Sequence, residues 1–169
     1  MTRGRFVAFE GGEASGKSTQ AARLAARLGA VLTREPGGTE LGRHIRQLVL
    51  GTHAGMQVGI RAEALLLAAD RAQHVATVIR PALESGRDVV TDRYAGSSLA
   101  YQGFGRGLDL AEIEHVSDWA SEGLWPDLVI LLDVPADVAR GRLVASGVGP
   151  DRLETAVDAF HGRVTEGFR

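Results

Sequence analysis

The sequence predicts an α/β fold, a mostly parallel sheet covered by helices, on three observations. Short aliphatic or β-branched runs alternate with longer stretches of helical periodicity, each run stops at polar residues, and glycine or proline marks the breaks between units. Such alternation places a crossover helix between neighbouring parallel strands, so both sheet faces are buried. A length of 169 residues with 44% hydrophobic content suits one domain over 1–169 with a substantial core.

The first strand is Phe6-Val7-Ala8-Phe9, which runs directly into a glycine-rich loop. Leu24, Ala25 and Leu28 then form an apolar stripe that predicts a core-facing helix. The second strand, Ala30-Val31-Leu32-Thr33, ends in the turn Arg34-Glu35-Pro36-Gly37-Gly38, and Leu41, Ile45, Leu48 and Val49 predict another core-facing helix. A longer helix from about Arg61 to Glu84 turns Leu65, Ala68, Val75, Val78, Ile79 and Leu83 inward, with Pro81 kinking its last turns and Gly86 ending it. The third strand, Asp88-Val89-Val90-Thr91, stops at Asp92-Arg93-Tyr94, and the fourth, Leu128 to Leu132, stops at Asp133. Further helices are predicted at Leu110 to Ser121, Ala136 to Ala145 and Leu153 to the end. Ligands of open α/β sheets bind outside the carboxyl ends of the strands, so the polar residues at these four ends are expected to share one crevice.

Bulk properties exclude several function classes. A net charge of −2 supplies no basic field for a nucleic-acid polymer or an anionic membrane. Without cysteine there is no disulfide framework, thiolate metal site or cysteine nucleophile. The apolar run at Phe6 to Phe9 is far shorter than a signal peptide or membrane span, and a soluble cytoplasmic protein is expected.

Gly11-Gly12-Glu13-Ala14-Ser15-Gly16-Lys17-Ser18 has the spacing G-x-x-x-x-G-K-[S/T] and lies between a predicted strand and a predicted helix, the context this phosphate-binding loop requires. Glycines let successive backbone N–H groups turn toward phosphate oxygens, Lys17 neutralises charge, and Ser18 is placed to ligate magnesium. The loop, with Thr19 following it, is therefore expected to bind the phosphates of a nucleoside triphosphate, ATP with Mg2+. No N-K-x-D guanine-reading motif is present, which argues against a switch GTPase.

From Phe6 to about Ala159 the sequence resembles the thymidylate kinases of the nucleoside monophosphate kinase group. The resemblance is carried by Phe9 to Gln20, Thr33-Arg34-Glu35-Pro36-Gly37-Gly38-Thr39, Ala69-Asp70-Arg71-Ala72-Gln73-His74, Asp92-Arg93-Tyr94 and Ala100-Tyr101-Gln102-Gly103. It implies a three-layer P-loop kinase fold with sheet order 2-3-1-4, typically in homodimers, to which the apolar helices around residues 41 to 85 are candidates to contribute. It also implies transfer of the ATP γ-phosphoryl group to dTMP, giving dTDP and ADP in dTTP biosynthesis. Two anions must meet in this reaction, which works by positioning and by neutralising charge on equatorial oxygens.

Arg93 corresponds to the family arginine that grips the acceptor phosphate; the competing reading pairs it structurally with Asp92 or Glu10. Asp92 is expected near magnesium through water. Glu13 stands where the family carries an acidic residue bonded to the 3′-hydroxyl of the acceptor sugar, against a solvated loop carboxylate. Arg34 and Glu35 are expected to border the acceptor site, with turn chemistry as the alternative. Arg71 is expected to bond the pyrimidine base, and Leu67, one turn earlier, stands where an aromatic commonly stacks on it. That departure weakens the expectation of thymine specificity. Ser98, Tyr101 and Gln102 resemble the wall around base and sugar, although Tyr101 also suits a packing aromatic.

A lid is expected at about residues 140–152, followed by a helix. The loop holds no arginine between Gly11 and Gly16, so a transition-state arginine is expected from the lid, as in bacterial family members, and Arg140, Arg142 and Arg152 are the candidates. Family members continue past the helix containing Phe160 to another strand and a last helix. The chain stops at Arg169 and is expected to lack both, leaving the fourth strand as a sheet edge. The alternatives to a dTMP kinase are a kinase for another nucleoside monophosphate and a shortened ATP-binding remnant without turnover.

Overall fold

The computed structural model describes residues 2–51, 57–146 and 158–169. Among them β1 (Phe6–Glu10), β2 (Val31–Arg34), β3 (Val89–Asp92) and β4 (Leu128–Leu131) form a parallel sheet of order β2-β3-β1-β4. This is the expected order, and each strand lies within one residue of its predicted bounds. Phe9 aligns with Asp92 and Ile130, and Arg34 with Asp92, so the polar strand ends lie side by side.

Alternation along the strands divides the core between the two faces. Phe6, Ala8 and Val89 pack with Val75, Ile79, Leu83 and Tyr94 on one side, and Val7, Phe9 and Val90 pack with Ala21 and Ala25 on the other. The second group belongs to α1 (Lys17–Leu28), which follows the glycine-rich loop and ends at Gly29 with φ 64°. β4 is the outer strand, and its Leu128 and Val129 are more than half exposed.

Three leucines expected inside lie outside. In α2 (Glu40–Leu50), capped by Thr39, which accepts from the Gly42 amide at 2.9 Å, the buried stripe is Gly42, Ile45 and Val49. Leu41 and Leu48 fall beside that stripe and are 49% and 40% exposed. In α3 (Ile60–His74) the inward positions belong to Glu63, Asp70, Arg71 and His74, and Leu65 is 60% exposed. In α2 the stripe is offset by one residue, and in α3 hydrophobicity alone assigned Leu65 wrongly because the helix turns polar residues inward. Leu28, at 40%, is also more exposed than its stripe implied.

Pro81 acts one turn earlier than expected. Helical structure runs on from α3 through a π-helical segment, Val75–Ile79, into α4 (Arg80–Glu84), and the Arg80 amide donates to the carbonyl of Val75 five residues back. Proline has no N–H and crowds the preceding turn, so the widened ladder lies just ahead of it. After β3 come α5 (Ala95–Ser98) and a second π-helical segment, Leu99–Gly105, then α6 (Leu110–Ser121), capped by Asp109. α7 (Ala136–Ser146) follows β4, and α8 (Asp158–Phe168) packs Phe160 and Val164 against Ala100 and Tyr101. The predicted helix start at Leu153 and the lid residues 147–152, including Arg152, lie outside the described residues.

Candidate active site

The glycine-rich loop is shaped by backbone requirements that side chains would block. Gly11 has φ 137° with its α-carbon against the Leu132 carbonyl, and Gly16 has φ 98° where the loop enters α1. Lys17 folds back over this loop and donates to the Gly12 carbonyl at 2.5 Å and to Ser15 Oγ at 3.2 Å. Burial pulls its pKa down to about 8, with Arg93 adding to the effect and Glu13, Asp92 and Glu10 opposing it. The loop forms the floor of a trough of about 550 Å³ that Ser18, Thr19, Asp92, Arg93 and Arg142 also line.

Asp92 and Ser18 meet at the strand end, where Ser18 Oγ donates to Asp92 Oδ2 at 2.5 Å. Asp92 Oδ1 is buried without a hydrogen-bond partner among the described residues. A hydroxyl beside a carboxylate with one unused oxygen fits a hard divalent cation that draws its remaining ligands from phosphates and water. Among the described residues no cluster of three or more His, Asp or Glu is available to hold a metal by protein ligands alone.

Arg93 adopts φ 73°, a left-handed conformation rare for a side chain this large, and such strain concentrates at functional positions. Its Nη1 donates to the Gly11 carbonyl at 2.9 Å and Ser97 Oγ at 3.0 Å, and its Nη2 to Glu13 Oε1 at 2.7 Å and the Tyr101 hydroxyl at 3.1 Å. Pairing with Asp92 or Glu10, the competing sequence reading, is not what holds it. Glu10 instead accepts from the Tyr94 and Ser97 amides and from Ser97 Oγ, and burial raises its pKa against those bonds. For Arg93 burial opposes the charge, yet Tyr101, Glu13, Glu10 and Asp92 together hold its pKa above the ordinary arginine value. Glu13 shows the converse: burial raises it, but Arg93, Tyr101, Lys17 and Arg46 outweigh that, so it stays below the usual carboxylate range.

Beyond Arg93 and Glu13 lies a smaller cavity of about 90 Å³, lined by Leu67, Arg71, Ser98, Tyr101 and Gln102 among others. Arg71 is 3% exposed and held from three directions: Nε donates to Glu35 Oε2 at 3.0 Å, Nη1 to Ser117 Oγ at 3.1 Å and Nη2 to Ser98 Oγ at 3.0 Å. One N–H on each terminal nitrogen has no partner among the described residues. Glu35 Oε1 meets His74 Nδ1 at 3.0 Å, and His74 Nε2 meets Thr33 Oγ1 at 2.6 Å, so the carboxylate is fixed in turn.

The structure thus brings Glu13, Glu35, Leu67, Arg71, Arg93, Ser98, Tyr101 and Gln102 around one cavity. Arg34 departs from its expected place: it lines the trough only, whereas Glu35 lines both the trough and the small cavity. Arg142 of α7 reaches the loop, donating to the Ala14 carbonyl at 3.1 Å, whereas Arg140 lines a cavity between β4, α7 and α8 that Gly11, Gly12 and Glu13 also border. Arg152 lies outside the described residues.

Sequence reasoning missed Ser97, Ser117, Glu63 and Arg46, and it gave no role to Asp70 and His74, which it met only within the run Ala69 to His74. Arg46 lines both trough and cavity and donates to the Pro36 carbonyl at 3.1 Å. Asp70 accepts from the Gly37 amide at 3.0 Å, and burial with the nearby Glu35 pushes its pKa up to about 6. The signal for Asp70 and His74 was their four-residue spacing on a helix whose interior face is polar, legible only once that face is known to be interior.

Comparisons with known proteins identify the family. The family model described as thymidylate kinase matches residues 9–168. A thymidylate kinase of Leifsonia xyli subsp. xyli is 54% identical over 98% of this chain and 80% of its own length, and one of Halothermothrix orenii is 49% identical over 98% and 83%. The crystal structure of thymidylate kinase from Ehrlichia chaffeensis superposes with a TM-score of 0.77 at 32% identity, covering 98% of this chain and 79% of that one. This chain belongs to the thymidylate kinase family.

Proposed function

We infer that this chain transfers the γ-phosphoryl group of ATP to the phosphate of dTMP, giving dTDP and ADP. One observation carries the reading: Arg93 and Glu13 line both the phosphate trough and the small cavity, so the acceptor phosphate is expected where the two spaces join. A guanidinium at that junction grips two phosphate oxygens and offsets repulsion between the anions. Gly11 to Thr19 cradle the ATP phosphates, with Lys17 neutralising them. Ser18 and Asp92 would hold Mg2+, which when bound draws charge from the phosphate oxygens. Arg142, already against the loop, approaches the transferring group from the α7 side, and Arg152 is the second candidate.

On the acceptor side, Glu13 is assigned to the sugar 3′-hydroxyl, Arg71 and Gln102 to the base edge, and Leu67, Ser98 and Tyr101 to the walls. Glu35 holds Arg71, and Arg34 reaches toward phosphate. The exposed Leu41, Leu48 and Leu65 support a homodimer through α2 and α3, since core packing does not account for them. No helix among the described residues is long and apolar enough to cross a membrane. A cytoplasmic location, one domain over 1–169 and ATP and dTMP as the small-molecule substrates, with no nucleic-acid or membrane partner, complete the reading.

The test is ADP release with ATP, Mg2+ and dTMP, dUMP, dCMP or dGMP in turn. Turnover fastest with dTMP is the expected outcome. Turnover no higher than the acceptor-free background would sink the reading, and a preference for another acceptor would move it to that nucleotide, as Leu67 in the aromatic's place allows.

A further inference from the structure

Behind the small cavity lies a buried group that the phosphoryl-transfer reading does not use. Glu63 is fully buried in the first turn of α3, and Glu63, Leu67 and Arg71 follow at four-residue spacing on one face of the helix. Leu67 and Arg71 line the cavity, whereas Glu63 reaches it only through another residue. Its Oε1 accepts from Gln102 Nε2 at 2.8 Å and from Arg106 Nε at 3.2 Å, and its Oε2 from Arg106 Nη2 at 3.1 Å. Arg106 in turn lies 4.7 Å over the Phe160 ring, which braces the ion pair against α8.

A carboxylate facing a guanidinium accepts hydrogen bonds and cannot donate them. Gln102 must therefore turn its NH₂ end to Glu63, which leaves the carbonyl oxygen as the end offered to the cavity. That oxygen has no hydrogen-bond partner among the described residues and is absent from the buried unpaired atoms, as expected of an atom open to the cavity. Arg71 supplies donors on the same wall, through the N–H groups left over from Glu35, Ser98 and Ser117. A donor beside an acceptor matches O4 and N3–H of a thymine or uracil ring. Cytosine presents an amino donor and a bare N3 acceptor at the same two places, and the match inverts.

We propose that Glu63 is a specificity-determining positioning residue, fixing the Gln102 amide so that the cavity accepts a keto pyrimidine and rejects an amino pyrimidine. The proposal rests on the reading of dTMP as acceptor. An amide beside Gln102 can donate or accept, so Glu63→Gln, which keeps the volume, frees the Gln102 amide to turn over and present its NH₂ group to the base. The double exchange Glu63→Gln with Gln102→Glu restores an obligate acceptor at position 102.

The experiment compares kcat/KM for dTMP and dCMP in the wild type, Glu63→Gln and the double exchange, with a thermal melt of each. The wild type is the control for the reaction itself: no turnover of dTMP there ends the functional reading, whatever the variants do. Given that turnover, Glu63→Gln is expected to narrow the dTMP/dCMP ratio about tenfold, the factor one hydrogen bond supplies, and the double exchange to recover most of it. A purely structural role lowers both acceptors together and leaves the ratio unchanged, and that result overturns the proposal. If Glu63→Gln does not fold, the double exchange carries the test alone, with a retained preference for dTMP supporting the proposal and a lost one overturning it.

Discussion

The phosphate trough and the acceptor cavity meet at Arg93 and Glu13 but are built by different means. The trough is lined largely by eight consecutive residues, Glu13 to Gln20, in a loop whose backbone turns at Gly11 and Gly16 because glycine permits it. The cavity is made by side chains that arrive from the turn after β2, from α2, α3, the end of β3, α5 and the second π-helical segment. Arg71 alone joins partners 27, 36 and 46 residues away, and Arg93 reaches Glu13 across 80. On the proposed reading, a local motif serves what all its users share, the triphosphate, and a dispersed constellation, which any one of several elements can alter, serves acceptor choice.

Replacing Arg93 breaks the comparison at its junction and carries the largest effect. Arg93→Ala is expected to lower kcat/KM for dTMP about 10³-fold or more, because charge stabilisation in a dry site is lost, while the KM for ATP changes little; steady-state kinetics varying each substrate in turn checks it. A raised KM for ATP with the KM for dTMP and kcat unchanged would place Arg93 with the trough alone.

Gly11→Ala attacks the trough through its backbone. A β-carbon there meets the Leu132 carbonyl and forces a φ of 137° on a residue that resists it. About 3 kcal/mol of destabilisation is expected in denaturant unfolding; a wild-type midpoint would mean the loop relaxes freely.

The trough also titrates. Lys17 has its pKa lowered from 10.5 to about 8 by burial, and bound phosphates favour its charged form. ATP affinity should therefore be full below pH 8 and fall as pH rises through it, by up to about tenfold per unit, with proton uptake on binding. Calorimetry in buffers of different ionisation enthalpy measures that uptake, and a flat affinity from pH 7 to 9 contradicts it.

The smallest effect belongs to the support of the cavity. Burial and Glu35 raise Asp70 from 3.8 to about 6, and its Oδ2 has no hydrogen-bond partner among the described residues. With the folded value above the unfolded one, the stability linked to its proton is full below pH 3.8 and lost as pH rises through 6. Asp70→Asn is expected to be more stable than wild type by about 1–2 kcal/mol at pH 8. The advantage should vanish near pH 4, and unfolding at both pH values decides it.

The residues differ in how far they could be read in advance for the same reason that the two regions differ. Lys17, Ser18 and the glycines were legible because motif, strand and helix are contiguous. Arg71 and Arg93 were reached by resemblance, and their partners Ser117 and Ser97 were not, since nothing in a serine's local sequence says which arginine will come to rest against it. Leu41, Leu48 and Leu65 were misplaced because periodicity finds an apolar stripe without saying which neighbour covers it, whereas α3 gives its interior to Glu63, Asp70, Arg71 and His74. Pro81 was correctly a source of irregularity, but the ladder widens in the turn before it, where its ring intrudes.

By itself the sequence determined the alternation of strands and helices, the phosphate loop and the gathering of polar residues at strand ends, because each follows from local pattern and chain chemistry. The tertiary structure alone decided that Arg34 faces the trough and that Arg142 rather than Arg140 meets the loop. It also decided that Glu63 turns Gln102. These depend on which faces of separate elements meet across long loops of chain, and side-chain direction there is set by packing and by the pairing of buried charge.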